Sequence, residues 1–170
     1  MEHHLDDINK GFMEPRPANH IPLTPLSFLP RIASIYPKRN AVVYGERKYN
    51  WSEVYERSVR LASAITNAGV KPGEVVTIMA PNIPEMFEAH FGVAMAGAVL
   101  NTLNTRLDTD TISYILHHAD TRLLITDAAF GEAIKTALEQ TENKKIKIID
   151  IIDEQASESA SGLRLGEQDY

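Results

Sequence analysis

The sequence contains no cysteine, which excludes disulfides, thiolate nucleophiles and cysteine-ligated metal centres. No apolar run approaches the roughly 18 residues needed to span a membrane. The first ten residues, MEHHLDDINK, carry three acids before any apolar run, a pattern foreign to a secretory signal. There is no basic excess either. Lys and Arg number 17 against 23 Asp and Glu, giving a net charge of −6 with the two signs interleaved. That balance argues against nucleic acid or an anionic membrane surface as the main partner. The expectation left by these absences is a soluble, cytoplasmic protein with no membrane span.

What is present is the composition of a folded domain. The 170 residues are 44% hydrophobic and 24% charged, and a chain of this length buries roughly 70% of its unfolded surface. Residues 1–25 read as an extended arm, because Pro15, Pro17, Pro22 and Pro25 interrupt any helix. Thr24-Pro25 has the form of an N-cap followed by proline at the first helical position. Phe28, Leu29, Ile32, Ala33, Ile35 and Tyr36 then follow at helical spacing. Pro30 falls inside that run, so a kink, or a helix starting only at Arg31, is expected.

AVVYGERKYNW reads as a β-hairpin around Gly45. Asn50 with Glu53 three residues on has the pattern of a capping box. The helix it opens shows Trp51, Val54, Tyr55, Ser58, Leu61, Ala62 and Ile65 on one face, and Gly69 ends it. VVTIMA (75–80) suits a strand buried on both sides. Strand and helix alternate from there: a helix over 84–97 with Phe87, Phe91, Ala94 and Met95 as its apolar face, a strand AVLNTL, and a helix capped by Asp108. A strand LLITD, a helix over 129–140 and a last strand KIKIIDII complete the series. The expected fold is α/β, a mostly parallel sheet flanked by helices with a hairpin near the N-terminus. The division is an arm over 1–25, an α/β subdomain over 26–152, and a polar Ser- and Glu-rich loop over 153–170.

Few residues offer chemistry. Gly92 and Gly97 have the G-x-x-x-x-G spacing of a phosphate loop, but Ala98 and Val99 stand where Lys and Ser or Thr are needed. The polarity is also reversed, since a helix ends there and a strand begins, whereas phosphate is held at a helix start. The stretch is read as a close helix–sheet contact followed by a turn. His3-His4 and His117-His118 are adjacent pairs without metal-ligand spacing, even with Asp6, Asp7 and Asp120 nearby. The second pair suits the last turn of a helix, and His90 reads as a structural histidine. Ser52, Ser58, Ser63 and Ser113 lie on helices and no G-x-S-x-G occurs. Arg106, a charged residue at the end of a strand expected to be buried, is the single candidate ligand contact. Its alternative is a salt bridge to the following helix. No catalytic residue and no metal ligand is assigned.

Several stretches, taken together, resemble a known family. They are PLTPLSFLPRIASIYPKRNAVVYGERKYNWSEVYERSVRLASAI, GVKPGEVVTIMAPNIPEMFEAHFGVAMAGAVLNTLNTRL and LLITD. In this order and spacing the chain resembles the amino-terminal part of an AMP-forming acyl-CoA synthetase of the adenylate-forming superfamily. The opening HHLDDINKGF and ANHIPLTPLSFL are similar to the branch acting on short- and medium-chain acids, including 3-methylmercaptopropionate. The resemblance implies ATP, Mg²⁺ and CoA as the intact enzyme's cofactors and a carboxylic acid as its substrate. The acid attacks the α-phosphate of ATP to give an acyl-adenylate and pyrophosphate, and the CoA thiol then displaces AMP. It also implies what is missing. The Ser/Thr/Gly-rich loop ending in Pro-Lys-Gly, the adenine-binding segment, the ribose-binding aspartate and the lysine of the small C-terminal domain would all lie beyond Tyr170. The chain is therefore expected to be an inactive fragment. Relatives are often dimers, which makes a homodimer an expectation to test. An interaction module on the same scaffold, or an adenylate former with a non-CoA acceptor, are the alternatives.

Overall fold

The computed structural model describes residues 24–142 and 145–170. The expected arm, with His3, His4, Asp6 and Asp7, lies outside the described residues apart from Thr24 and Pro25. Thr24 caps a single 3-10 turn, Pro25–Ser27, its hydroxyl oxygen accepting from the Leu26 N–H at 3.3 Å. Helix α1 (Phe28–Ile35) follows at once. It does not wait for Arg31, because Pro30 is its third residue, in the first turn, where backbone N–H groups have no acceptor within the helix. Only Leu29 and Ala33 of the expected face are buried. Phe28, Ile35 and Tyr36 are 54%, 55% and 47% exposed.

Strands β1 (Asn40–Tyr44) and β2 (Arg47–Asn50) form the expected antiparallel hairpin, closed by Gly45 at φ +52°. The capping box is complete. Asn50 accepts from the Glu53 N–H at 3.0 Å, and Glu53 accepts from the Asn50 N–H at 2.7 Å. It opens α2 (Trp51–Asn67), which buries Val54, Ser58, Leu61 and Ile65.

Five parallel strands make the main sheet: β3 (Val75–Met79), β4 (Val99–Thr102), β5 (Thr121–Asp127), β6 (Lys147–Ile151) and β7 (Gln168–Asp169). Their order is β4-β3-β5-β6-β7. Side chains alternate across it, so Val76, Ile78 and Ile125 pack with Ile65 of α2 and Val93 of α3 (Pro84–Met95). On the other face Met79 and Leu124 meet Leu116 of α4 (Thr109–His118) and Ile134 of α5 (Gly131–Gln140). Covering both faces is what a parallel sheet requires.

Three expectations change. Helix α3 does not bury Phe87, Phe91, Ala94 and Met95. Its buried face is Glu85, Glu88, Ala89, Gly92 and Val93. Apolar pattern alone misses this, because two arginines from neighbouring elements compensate the buried carboxylates. Strand β4 is an edge, half exposed among the described residues, and not a buried strand.

The segment 153–170 is no plain loop. It contains a short helix α6 (Ser157–Ala160) and supplies β7. Its anchors are largely backbone groups. Asp150 Oδ2 accepts from the N–H groups of Leu165 at 2.9 Å and Gly166 at 2.8 Å, and Tyr170 N–H donates to the Asp150 carbonyl at 2.8 Å. A Cβ on Gly162 would overlap the Ala128 carbonyl, so the chain passes there with backbone against backbone. Such contacts leave no hydrophobic pattern to read in a Ser- and Glu-rich stretch.

Candidate functional site

From β3 the chain moves outward to β4, then crosses back to β5, β6 and β7 on the other side. Counted from β3, the order is 2-1-3-4-5. Doubly wound sheets bind ligands outside the carboxyl ends of the strands, where the winding reverses. Here that point lies between the ends of β3 and β5. Asn82 and the start of α3 stand beyond β3. Asp127 closes β5, its carboxylate accepting from the Ala129 N–H at 2.9 Å, and Asp153 follows β6.

The hairpin is fastened over this edge. Tyr44 donates its hydroxyl to Asp153 Oδ2 at 2.5 Å. The Gln155 amide bridges the turn, accepting from the Glu46 N–H at 3.2 Å and donating to the Tyr44 carbonyl at 3.4 Å. Arg47 makes a two-pronged contact with Glu85 at 2.9 and 3.3 Å, and lies 3.7 Å from Asp153. One helical turn on, Glu88 accepts from Arg57 Nε at 2.5 Å and from the Tyr170 hydroxyl at 3.0 Å. Arg57 also reaches Glu85 at 3.6 Å, so a single ion network ties the hairpin, α2, α3 and the last residue of the tail together.

Burial and charge set the protonation of this network. Loss of solvent raises the Glu88 carboxyl above the ordinary glutamate range, against the opposing pull of Arg57 and of the Tyr170 hydroxyl. Burial pulls Arg57 down, but the hydrogen bond and charge of Glu88 outweigh it. The Tyr44 hydroxyl is pushed up, first by its hydrogen bond to Asp153 and then by burial. Burial and the Glu88 charge likewise push Tyr170 up. Such a network holds elements in place. No serine in it is paired with a base, and nothing in it presents a nucleophile.

Arg106 sits beyond the end of β4, exposed, on this same carboxyl edge. Its backbone N–H donates to Asn104 Oδ1 at 2.9 Å. The alternative salt bridge to α4 is not formed, and no ion pair involves Arg106 among the described residues. His90 is exposed, its Nδ1 bonded to the Met86 carbonyl at 2.8 Å. His117 and His118 do occupy the last turn of α4, with His118 stacked on Tyr114. Gly92 is buried against Leu61 and Gly97 turns at φ +74°. The glycine pair therefore serves a helix–helix contact and a helix end, and the expected helix–sheet contact is not its role.

Reading the sequence missed Tyr44, Arg47, Arg57, Glu85, Glu88 and Asp153. One signal was available. Glu85, Glu88 and Gly92 recur at i, i+3 and i+7, which places two acids on the face of α3 that also carries its buried glycine.

Among the described residues no group of three or more His, Asp and Glu lies close enough to hold a metal ion. No helix among them is long and apolar enough to cross a membrane. Residues 29–169 match the AMP-binding enzyme family. The chain is 46% identical over 126 residues to a 2-methylpropanoate–CoA ligase of Humulus lupulus, covering 74% of this chain and 23% of that protein. It is 45% identical over 140 residues to a peroxisomal acetate/butyrate–CoA ligase of Arabidopsis thaliana, covering 82% and 24%. Among solved structures, a benzoate CoA ligase from Burkholderia xenovorans LB400 superposes with a TM-score of 0.68 at 26% identity, over 74% of this chain and 25% of that one. The chain thus spans about a quarter of the length of these relatives. The cytoplasm expected from composition is not the compartment named for the Arabidopsis relative.

Proposed function

The chain belongs to the AMP-binding enzyme family, and on that premise we propose that it forms the first α/β portion of an ATP-dependent, AMP-forming acid–CoA ligase. Its substrate is a short- or medium-chain carboxylic acid. The match over residues 29–169 carries this reading, supported by relatives named for acetate, butyrate and 2-methylpropanoate. In the reaction a carboxylate oxygen bonds to the α-phosphorus of ATP and pyrophosphate leaves. The CoA thiol sulfur then bonds to the acyl carbon, and AMP leaves with the electron pair of the broken C–O bond. Mg²⁺, when bound, neutralises the phosphate charge. The described residues offer no metal cluster and no lysine beside a glycine-rich helix start.

The part given to this chain is to present a rigid carboxyl edge. The Arg47–Glu85–Arg57–Glu88 network fixes the hairpin and α3 beside the β3/β5 reversal. Arg106, an exposed guanidinium on the same edge, is assigned a contact with an anionic ligand group.

The test is CoA-dependent AMP release from butyrate or 2-methylpropanoate. A protein carrying this chain with the downstream coding sequence should be active and should yield the thioester. The 170 residues alone should not. Thioester formation by the 170-residue chain would overturn the fragment reading, and adenylate formation without thioester would point to a non-CoA acceptor. Arg106→Ala in the longer protein should raise a substrate KM while leaving the circular dichroism spectrum unchanged.

A further inference from the structure

The hairpin and segment 153–170 lie far apart in sequence and share one weakness. Neither carries a fully buried apolar side chain. No residue from 40 to 50 is buried, and in segment 153–170 only Asp153 and Ser159 are. Tyr44, Leu165 and Tyr170 pack against the two cores as partly buried neighbours. Elements with few buried apolar contacts open at lower free energy than core strands and helices. What fastens these two therefore decides whether they open separately or together.

The same buried charges fasten both. Asp153, the first residue of the segment, accepts from the Tyr44 hydroxyl of β1 and lies 3.7 Å from Arg47 of β2. Tyr170, the last, donates its hydroxyl to Glu88 at 3.0 Å. Between these ends the row of contacts is unbroken. Arg47 reaches Glu85 at 2.9 Å, Glu85 meets Arg57 at 3.6 Å, and Arg57 reaches Glu88 at 2.5 Å. Two hairpin rings add to it, with Arg47 over Tyr44 at 5.1 Å and Arg57 over Tyr49 at 4.7 Å.

Three carboxylates, Asp153, Glu85 and Glu88, are buried in this row, and two guanidinium groups face them. Each end carboxylate also takes a tyrosine hydroxyl. Withdrawing the hairpin removes Arg47 from Glu85 and the Tyr44 hydroxyl from Asp153. Undocking the segment removes Asp153 from Arg47 and Tyr170 from Glu88. Either movement leaves buried carboxylates short of donors, a cost that falls on the whole network and not on one contact. We infer that the hairpin and segment 153–170 form one cooperative unit, which opens and closes as a whole over α2, α3 and β6, with the Arg47–Glu85–Arg57–Glu88 row as its clasp.

Amide hydrogen exchange in the 170-residue chain, read residue by residue by NMR at low denaturant, tests this. In the wild type, the amides of β1 and β2 and those of Leu165 and Gly166 should share one opening free energy and one denaturant slope. Both should be smaller than those of β3 and β5. Y170F removes one hydroxyl at the end of the segment, and Y44F removes one in the hairpin. Neither deletes a buried apolar side chain. Each variant should accelerate the hairpin and segment amides by the same factor, about ten- to a hundredfold for a hydrogen bond to a charged group.

Acceleration of Leu165 and Gly166 by Y170F with β1 and β2 unchanged would overturn the inference. So would acceleration of the hairpin alone by Y44F, or no change in either variant. Opening free energies equal to those of β3 and β5 would also overturn it, since exchange would then need global unfolding. The inference rests on the geometry of the described residues and not on the proposed reaction. None of these readouts involves ATP, acid or CoA, so failure here leaves the proposed function untouched, and the converse holds.

Discussion

Gly92→Ala is the change that best tests how α2 and α3 are held together. A Cβ built at Gly92 falls 2.7 Å from Leu61 Cδ2, 2.9 Å from its Cγ and 3.0 Å from its Cβ. The first of these atoms can swing away. The Leu61 Cβ cannot, because the α2 backbone fixes it, so the helices must separate. Overpacking of this kind costs about 1–3 kcal/mol. Replacing glycine by alanine inside a helix contributes about 1 kcal/mol in the other direction. The net expectation is a loss of about 1 kcal/mol, or roughly 2–4 °C in Tm for a chain of this size.

The size of the loss should depend on Leu61. Leu61→Ala alone should cost about 2–5 kcal/mol. In that background the Cδ2 and Cγ contacts are gone and only the 3.0 Å approach to the residue-61 Cβ remains, so Gly92→Ala should cost less than in the wild type, with helix propensity offsetting about 1 kcal/mol. Urea melts of the four proteins in the cycle read the coupling directly. A stabilising Gly92→Ala in the wild-type background would refute the close-contact argument. So would a substitution that costs the same with and without Leu61.

The remaining expectations concern the cap and the network. Asn50→Ala removes the acceptor of the capping box and should cost about 1 kcal/mol of stability in urea melts, with Asn50→Asp close to neutral. Tyr44 and Tyr170 have raised pKa values in the fold, so their contribution to stability is complete below the ordinary tyrosine pKa of about 10 and is lost as pH rises through the folded values. Phenolate absorbance should therefore show a late-ionising component in the native protein that Tyr44→Phe and Tyr170→Phe each diminish and that urea abolishes; a native titration without that component would contradict this. Glu88 is also raised, so folding opposes its ionisation. The stability difference of wild type minus Glu88→Gln should shrink as pH rises from the ordinary glutamate range through the raised value. A difference that grows over that window would mean that the Arg57 ion pair outweighs burial.

What could be read from the sequence was whatever depends on neighbours along the chain. Asn50 with Glu53, Thr24 with Pro25, Gly45 in the hairpin turn and Asp108 before α4 are local devices, with both partners within a few residues. Strand–helix alternation implied a parallel sheet, and the two-sided burial of β3 and β5 agrees with the largely apolar VVTIM and the LLI at the centre of β5. The reversed polarity at Gly92 and Gly97 was enough to reject a phosphate loop.

What required the third dimension was every case in which the partner is remote in sequence. Glu88 is buried because Arg57, 31 residues away, and Tyr170, 82 residues away, converge on it. That is why the polar face of α3 turns inward and Phe87 and Phe91 do not. The docking of segment 153–170 rests largely on backbone groups, on Asp150 and on the Tyr170–Glu88 hydrogen bond, with only Leu165 and Tyr170 adding apolar contact with the two cores. Local propensity and capping energies act over a few residues and are written in the sequence. Compensation of a buried charge depends on the fold that brings the opposite charge to it, and only the tertiary structure decides that.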